Sequence, residues 1–383
     1  MDIGALTDET LRELRRKREY PAVSLQLPTN RRSPYSPEDP VRLRNTVAEA
    51  KRRLADDTRA ARTARMDVEA RLDQAASEVD LTHSGDGLLV LVAPGEHQIW
   101  YLPRTVPQRV VISDTFLTRN LVAARLQEEP YWALALSESG TRLWDGAGET
   151  LTEVTTGGFP VKPEIPDHQD ALPGRNFDKV GNHPTSPREE SHVERERQYL
   201  RGVVGVLAPV LDREPRPLYV VGLRESVAQL EKLLPARPGL TVHRVENGSV
   251  AGCKPAELLE LLRPAFERRR ATRSGEVLRR LGDARGQRLF TSGLDEIWRT
   301  VREGRVALLA VEDHFRIAAR VDGNGGHPVR VEPPAESLSA DPSIHEDVID
   351  EIVEAALGCG ADIAFVPDDT LAEEDRMAAV LRY

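Results

Sequence analysis

Cysteine is nearly missing from this chain. Its 383 residues hold two, Cys253 and Cys359, far apart and each alone. That excludes a disulfide framework and a metal-knuckle spacing, and it points to a reducing, cytoplasmic setting. Long apolar runs are missing too. None approaches the roughly 20 residues that a membrane helix needs, so no membrane partner is expected. The stretch Met1-Asp-Ile-Gly-Ala-Leu-Thr-Asp-Glu has neither a basic nor an apolar segment, so no secretory signal is expected. No Gly-x-x-x-x-Gly-Lys-Ser/Thr and no Gly-x-Gly-x-x-Gly occurs, which leaves nucleotide binding without support. Ser139-Gly and Ser292-Gly read as turn and cap residues, not as a nucleophile elbow. His168, His183 and His192 match no ligand spacing and no cysteine joins them, so no metal and no cofactor is expected.

What is present describes a globular chain. Hydrophobic residues make up 40% and charged residues 30%, enough to fill cores in two or three domains. The net charge of -10 sits awkwardly with a phosphate-rich partner, which basic surfaces usually meet. The charge is unevenly spread. Residues 341–375 are strongly acidic, with Glu346, Asp347, Asp350, Glu351 and Glu354 among them, and such runs usually form solvated faces. Basic residues gather at 12–18, 51–65 and 268–280. Arginine far outnumbers lysine. That suits bidentate phosphate contact, but genomic base composition explains it as well.

Periodicity and turn signals place the elements. Thr7 caps a helix that begins with acidic residues, and Leu6 can staple to Leu11. Val23, Leu25 and Leu27 alternate as in a strand. Residues 41–79 carry Leu43, Val47, Ala50 and Leu54, then Val68, Leu72 and Val79, at helical spacing; Asp57 interrupts them and predicts a break within 55–62. Residues 87–94 and 98–102 read as paired strands, and 114–127 closes a first unit. Residues 131–136, 141–144 and 151–154 form a three-strand meander. A polar, Pro- and Gly-rich segment over 157–190 exceeds ordinary connections, and segments of that kind are usually functional or disordered. A helix over 191–211, a strand over 217–223, a short helix over 226–234, a strand over 241–245 and a long helix over 255–280 follow.

The last hundred residues say the most. They start Arg288-Leu-Phe-Thr-Ser-Gly-Leu-Asp-Glu-Ile-Trp, continue through Glu303-Gly-Arg-Val-Ala-Leu-Leu-Ala-Val and Gly358-Cys-Gly-Ala-Asp-Ile-Ala-Phe-Val-Pro, and reach Met377-Ala-Ala-Val-Leu-Arg-Tyr. Read physically this is helix, strand, helix, strand and a last strand. Together these stretches resemble the third domain of the archaeo-eukaryotic release factor and Pelota family, with its "GRV-x-x-L-L", its "GGA-x-V" and its closing "A-x-L-R-Y". The order of the middle elements resembles that family's second domain. The "S-L-x-L-P" of the first unit, with the long basic helix after it, fits the first domain of the bacterial branch, which includes ribosome hibernation factors. The resemblance implies three mixed α/β domains in tandem: 1–129, 130–282 with the loop 157–190, and 283–383 as an α/β/α sandwich of the ribosomal L30e-like type. In that last domain Val306, Leu308, Leu309, Ile363, Phe365, Val380 and Leu381 are expected in a buried central sheet.

Release factors of this family hydrolyse peptidyl-tRNA with Gly-Gly-Gln at the tip of the middle-domain loop. Two glycines allow a close backbone approach, and the glutamine orients water against the ester. That motif is absent here. Gly157-Gly158 is followed by Phe159 and reads as a strand-to-loop exit. Gln169 is the only glutamine in the loop and the one candidate for a catalytic role, although no glycine precedes it. A better segment for RNA contact holds Gly174, Arg175, Asn176, Phe177, Lys179 and Gly181: two glycines, two cations and an aromatic able to stack on a base. The bland alternative is a surface loop whose composition keeps it soluble. Lys51, Arg52, Arg59 and Arg62 mark a basic helix able to lie on rRNA, against which Asp56, Asp57 and Asp67 argue for a solvated amphipathic face.

Three functional expectations follow. The first is a cytoplasmic, Pelota-like binding protein of the ribosomal A site, contacting rRNA and tRNA, that protects, silences or rescues ribosomes. The second is an enzyme, a peptidyl-tRNA hydrolase whose divergent loop positions water through Gln169 or Asn176. The third is an RNA-binding protein that kept the fold and lost the ribosome. The resemblance leaves a partner translational GTPase open; no DNA partner is expected.

Overall fold

The computed structural model describes the chain outside residues 31–35, 83–84, 138, 164–186, 249, 322–325 and 332–342, and only the backbone of 187–193. The chain falls into two compact units, one made of 1–128 with 271–383 and the other of 129–270. The fold is mixed α/β with several sheets, as expected. Among the described residues no helix is long and apolar enough to cross a membrane.

The first unit begins with α1 (Asp8–Leu14), where the Thr7 hydroxyl accepts the Thr10 N–H at 3.0 Å. β1 (Ala22–Pro28) follows. The apolar stripe then splits into α2 (Glu38–Asp56) and α3 (Arg62–Glu78), with the break where Asp57 predicted it. The reason is local. Asp57 turns its carboxylate back onto Arg59, accepting from the backbone N–H at 2.9 Å and from Nε at 3.0 Å. β2 (Gly87–Ala93), β3 (Glu96–Leu102) and β4 (Arg109–Ser113) complete an antiparallel sheet of order β3-β2-β1-β4. β4 has no counterpart in the sequence reading. Leu43, Val47, Leu54, Val68 and Leu72 of α2 and α3 pack on one sheet face with Val23, Leu25 and Val90. α1 and α4 (Arg119–Gln127) cover the other, through Leu11, Leu14 and Leu121 against Leu89, Leu91 and Trp100. Alternate residues along β2 therefore serve two cores.

In the second unit β5 (Pro130–Ala135), β6 (Arg142–Ala147) and β7 (Thr150–Val154) form the expected antiparallel meander. Then come α5 (Pro187–Arg213), β8 (Leu218–Gly222), α6 (Arg224–Leu233), β9 (Val242–Glu246) and α7 (Pro255–Gly286). β8 lies parallel to β5 and β9 parallel to β8, giving the order β7-β6-β5-β8-β9. Trp132, Leu134, Leu218 and Val220 face Leu200, Val203, Leu207 and Leu230 of α5 and α6. Tyr131, Ala133, Tyr219 and Val221 face Leu258, Leu262 and Ala265 of α7. The strict alternation on β5 and β8 is what a sheet covered on both faces requires. α7 runs without interruption past residue 282.

The first unit resumes with β10 (Phe290–Ser292), α8 (Leu294–Arg302), β11 (Val306–Glu312), β12 (Ala319–Arg320), β13 (Val329–Arg330), β14 (Ile344–His345), α9 (Val348–Gly358), β15 (Asp362–Val366) and β16 (Met377–Leu381). Its main sheet has the order β10-β16-β11-β15, with β11 and β15 parallel and the other pairings antiparallel. α8 and α9 pack on one face through Ile297, Val301, Ile349, Ile352 and Val353. Val277 and Leu281, near the end of α7, pack on the other with Leu308, Ala310 and Ala378. That is an α/β/α sandwich. Val306, Leu308, Leu309 and Leu381 are buried. Ile363, Phe365 and Val380 are only partly buried, a correction to the sequence reading. For Ile363 and Phe365 the reason is that β15 is an edge strand. β13-β12-β14 forms a separate small sheet.

Candidate functional site

Gln169 and the segment with Gly174, Arg175, Asn176, Phe177, Lys179 and Gly181 lie outside the described residues. The chain leading up to that segment is held against α5. After β7 it turns at Gly157 and Gly158, with φ of +66° and +97°, which side chains rarely adopt. A Cβ on Gly158 would lie 2.9 Å from a methyl of Val206 on α5. Phe159 then drops into the core and is 4% exposed, packed with Leu200, Val203 and Leu143. Val161 pairs with Thr141 in an antiparallel bridge, with N···O distances of 2.7 and 2.9 Å. Tyr199 of α5 fastens this bridge. Its hydroxyl meets Thr141 Oγ1 at 2.7 Å and donates to the Val161 carbonyl at 3.2 Å. Burial raises the Tyr199 pKa, so the phenol stays neutral and keeps its proton to donate. The two glycines thus serve a turn against α5, and the phenylalanine that follows them is a core side chain.

The second nominated region is less uniform than a basic helix. Lys51 and Arg52 lie on α2, Arg62 opens α3, and Arg59 sits in the break between them. Lys51 pairs with Asp73 of α3. Arg59 lies over the Tyr20 ring at 4.6 Å and pairs with Asp57 at 2.7 Å. Burial works against charge on Asp57, yet the hydrogen bonds from Arg59 and Tyr20 hold its pKa below the usual value. Arg52 and Arg62 are exposed. Of the four cations, then, two are engaged with acidic neighbours and two face solvent.

Residues 130–305 match the model of bacterial archaeo-eukaryotic release factor family 3. Over that stretch the chain is similar to that family. The match takes in the middle sheet, all of α7 and the first elements of the C-terminal sandwich. Among solved structures the chain is similar to the archaeal translation termination factor aRF1, at 15% identity over 98% of this chain and 96% of that one, with a TM-score of 0.25. It is similar to Archaeoglobus fulgidus Pelota, at 14% identity over 77% and 79%, with a TM-score of 0.35. It is also similar to S. cerevisiae Dom34, at 10% identity over 78% and 73%, with a TM-score of 0.36. No curated protein matches the chain. The sequence has two Gly-Gly pairs, followed by Phe159 and His327, so neither continues into glutamine.

Sequence reasoning missed the acidic stretch as a structural element. It expected a solvated face, but Asp347 and Asp350 are buried, at 6% and 3% exposure. Nothing in the local sequence marks them, because the groups that cover them come from residues 109–119.

Proposed function

We propose that this protein is a cytoplasmic, ribosome-associated translation factor of the Pelota-like kind. It binds the A site in hibernation, protection or rescue and does not terminate translation. The observation that carries this reading is the match of residues 130–305 to a release factor family in a chain that lacks Gly-Gly-Gln. The environment of Gly157-Gly158-Phe159 supports it. A pair of glycines committed to a turn, and a phenylalanine committed to the core, leave no water-positioning side chain there. S. cerevisiae Dom34, to which the chain is similar, is described as termination-like and as interacting with Hbs1. A translational GTPase is accordingly a partner to seek.

The test is sedimentation of the tagged protein through sucrose gradients, from growing and from starved cells. Association with ribosomes that weakens with rising salt is expected if Arg175 and Lys179 meet rRNA phosphates. Arg175→Ala combined with Lys179→Ala should reduce occupancy, each lost charge-assisted contact being worth on the order of 1 kcal/mol. Peptidyl-tRNA cleavage by the wild type, lost in Gln169→Ala, would favour the hydrolase instead. Free protein under every growth condition would remove both readings.

A further inference from the structure

Asp350 and Glu354 lie one turn apart on α9, and both reach the N-terminus of α4. A single residue, Thr118, meets both. Its hydroxyl donates to Glu354 Oε1 at 2.6 Å. Its backbone N–H donates to Asp350 Oδ2 at 3.3 Å, and the Arg119 N–H donates to Oδ1 at 2.7 Å. Thr118 occupies the N-cap position of α4 but does not cap the helix with its own side chain. Asp350, from a distant part of the chain, supplies the missing cap.

The cations nearby are turned to other work. Arg119 donates to the Phe315 carbonyl and stands 3.6 Å from Asp347. Arg109 pairs with Asp347 at 2.8 Å and lies 3.9 Å from Glu346, as Arg53 does. Arg15 of α1 donates to the backbone carbonyl of Glu354 at 3.3 Å. Glu351 pairs with His345, and Lys17 with Asp114. Among the described residues, neither Asp350 nor Glu354 has an ion pair. Two adjacent, largely enclosed carboxyls do not both ionise cheaply, because burial outweighs the nearby charges of Arg119 and Arg15. The hydrogen bonds decide which one keeps a proton. Asp350 accepts two backbone N–H groups at the positive pole of a helix, a setting for a carboxylate. Glu354 accepts one hydroxyl. It also lines a cleft of about 410 Å³ with Arg12, Arg15, Arg16, Glu351 and Ala355, through which its proton can exchange with solvent.

We propose that Asp350 and Glu354 form a one-proton latch between α4 and α9: with the proton on Glu354 the two helices stay docked, and its loss undocks them. Both pKa values are raised, and Glu354 has the higher, so it is the last of the two to give up its proton. Burial, then the neighbouring Asp350, pushes Glu354 up to about 9, and burial, then Asp347, pushes Asp350 up to about 7. A carboxyl with a raised pKa binds its proton more tightly when docked. Docking is therefore strongest below the ordinary glutamate pKa, weakens as pH rises, and has lost this contribution near pH 9.

Hydrogen exchange on the full chain tests this. Protection of the α4 and α9 amides, corrected for intrinsic exchange, should fall with pH by up to about tenfold per unit, as release of one proton requires, and level off near pH 9. In Glu354→Gln, which mimics the protonated acid, the fall in protection between about pH 7 and pH 9 should disappear. A pH response in Glu354→Gln equal to the wild type's would overturn the latch, as would a flat wild type. Carboxyl-carbon NMR of glutamate-labelled wild type settles the case if the variant does not fold. A Glu354 resonance titrating well above the other glutamates supports the latch, and one titrating among them refutes it.

Discussion

Glu312 and Arg376 hold each other twice. The Glu312 side chain, fully buried at the end of β11, accepts from Arg376 Nη1 at 2.8 Å. The Glu312 backbone N–H donates to the Arg376 carbonyl at 3.1 Å. Its second carboxylate oxygen accepts the Leu371 N–H at 2.8 Å. The connection from β15 to β16 is thus folded around one buried carboxylate. Asp369, Asp375 and Arg376 in that connection have φ of +63°, +59° and +65°, left-handed values that cost free energy in residues other than glycine.

Replacing that carboxylate should therefore be felt. Glu312→Ala strands the buried Leu371 N–H, and a buried donor without a partner costs about 1–3 kcal/mol. Urea unfolding of the variant should show this loss. A change within about 0.5 kcal/mol, as for an ordinary surface site, would contradict the role assigned to Glu312.

The double-glycine turn gives a second expectation. Gly157→Ala meets no atom within 4 Å and should lose only the cost of its left-handed backbone, about 1–2 kcal/mol. Gly158→Ala adds the contact with Val206 and should lose more. Phe159→Ala should cost about 3–5 kcal/mol, the usual range for a core phenylalanine. Equilibrium unfolding of the three variants checks the order. A Phe159→Ala protein as stable as wild type would reopen a role for that ring outside the core.

His345 supplies a pH test apart from Glu354. Its hydrogen bond with Glu351 raises its pKa against the opposing effect of burial. A base with a raised folded pKa contributes stability below its unfolded value near 6.5, and that stability is lost as pH rises through the folded pKa. His345→Gln should accordingly lower the melting temperature more at about pH 6 than at about pH 8.5. An equal loss at both would mean that the pair contributes through packing alone.

Elements with local causes can be read directly from the residues. Thr7 and the acidic residues after it start α1. The apolar runs at residues 131–136 and 217–223 make strands. Asp57 ends one helix and lets another begin. The motifs from Arg288 to Tyr383 carried the family resemblance. Tertiary structure decided the rest. β4 and β10 exist because a neighbouring strand completes their hydrogen bonds, which nothing local announces. Whether a charged side chain meets water depends on what another segment lays over it. Arg59 was read as an open cation, yet Tyr20 lies beneath it and Asp57 beside it. Asp350 was read as solvated, but Thr118 and Arg119 arrive from more than two hundred residues away to bind it. Spacing along a chain reports which residues share a face; only the folded packing reports what that face touches.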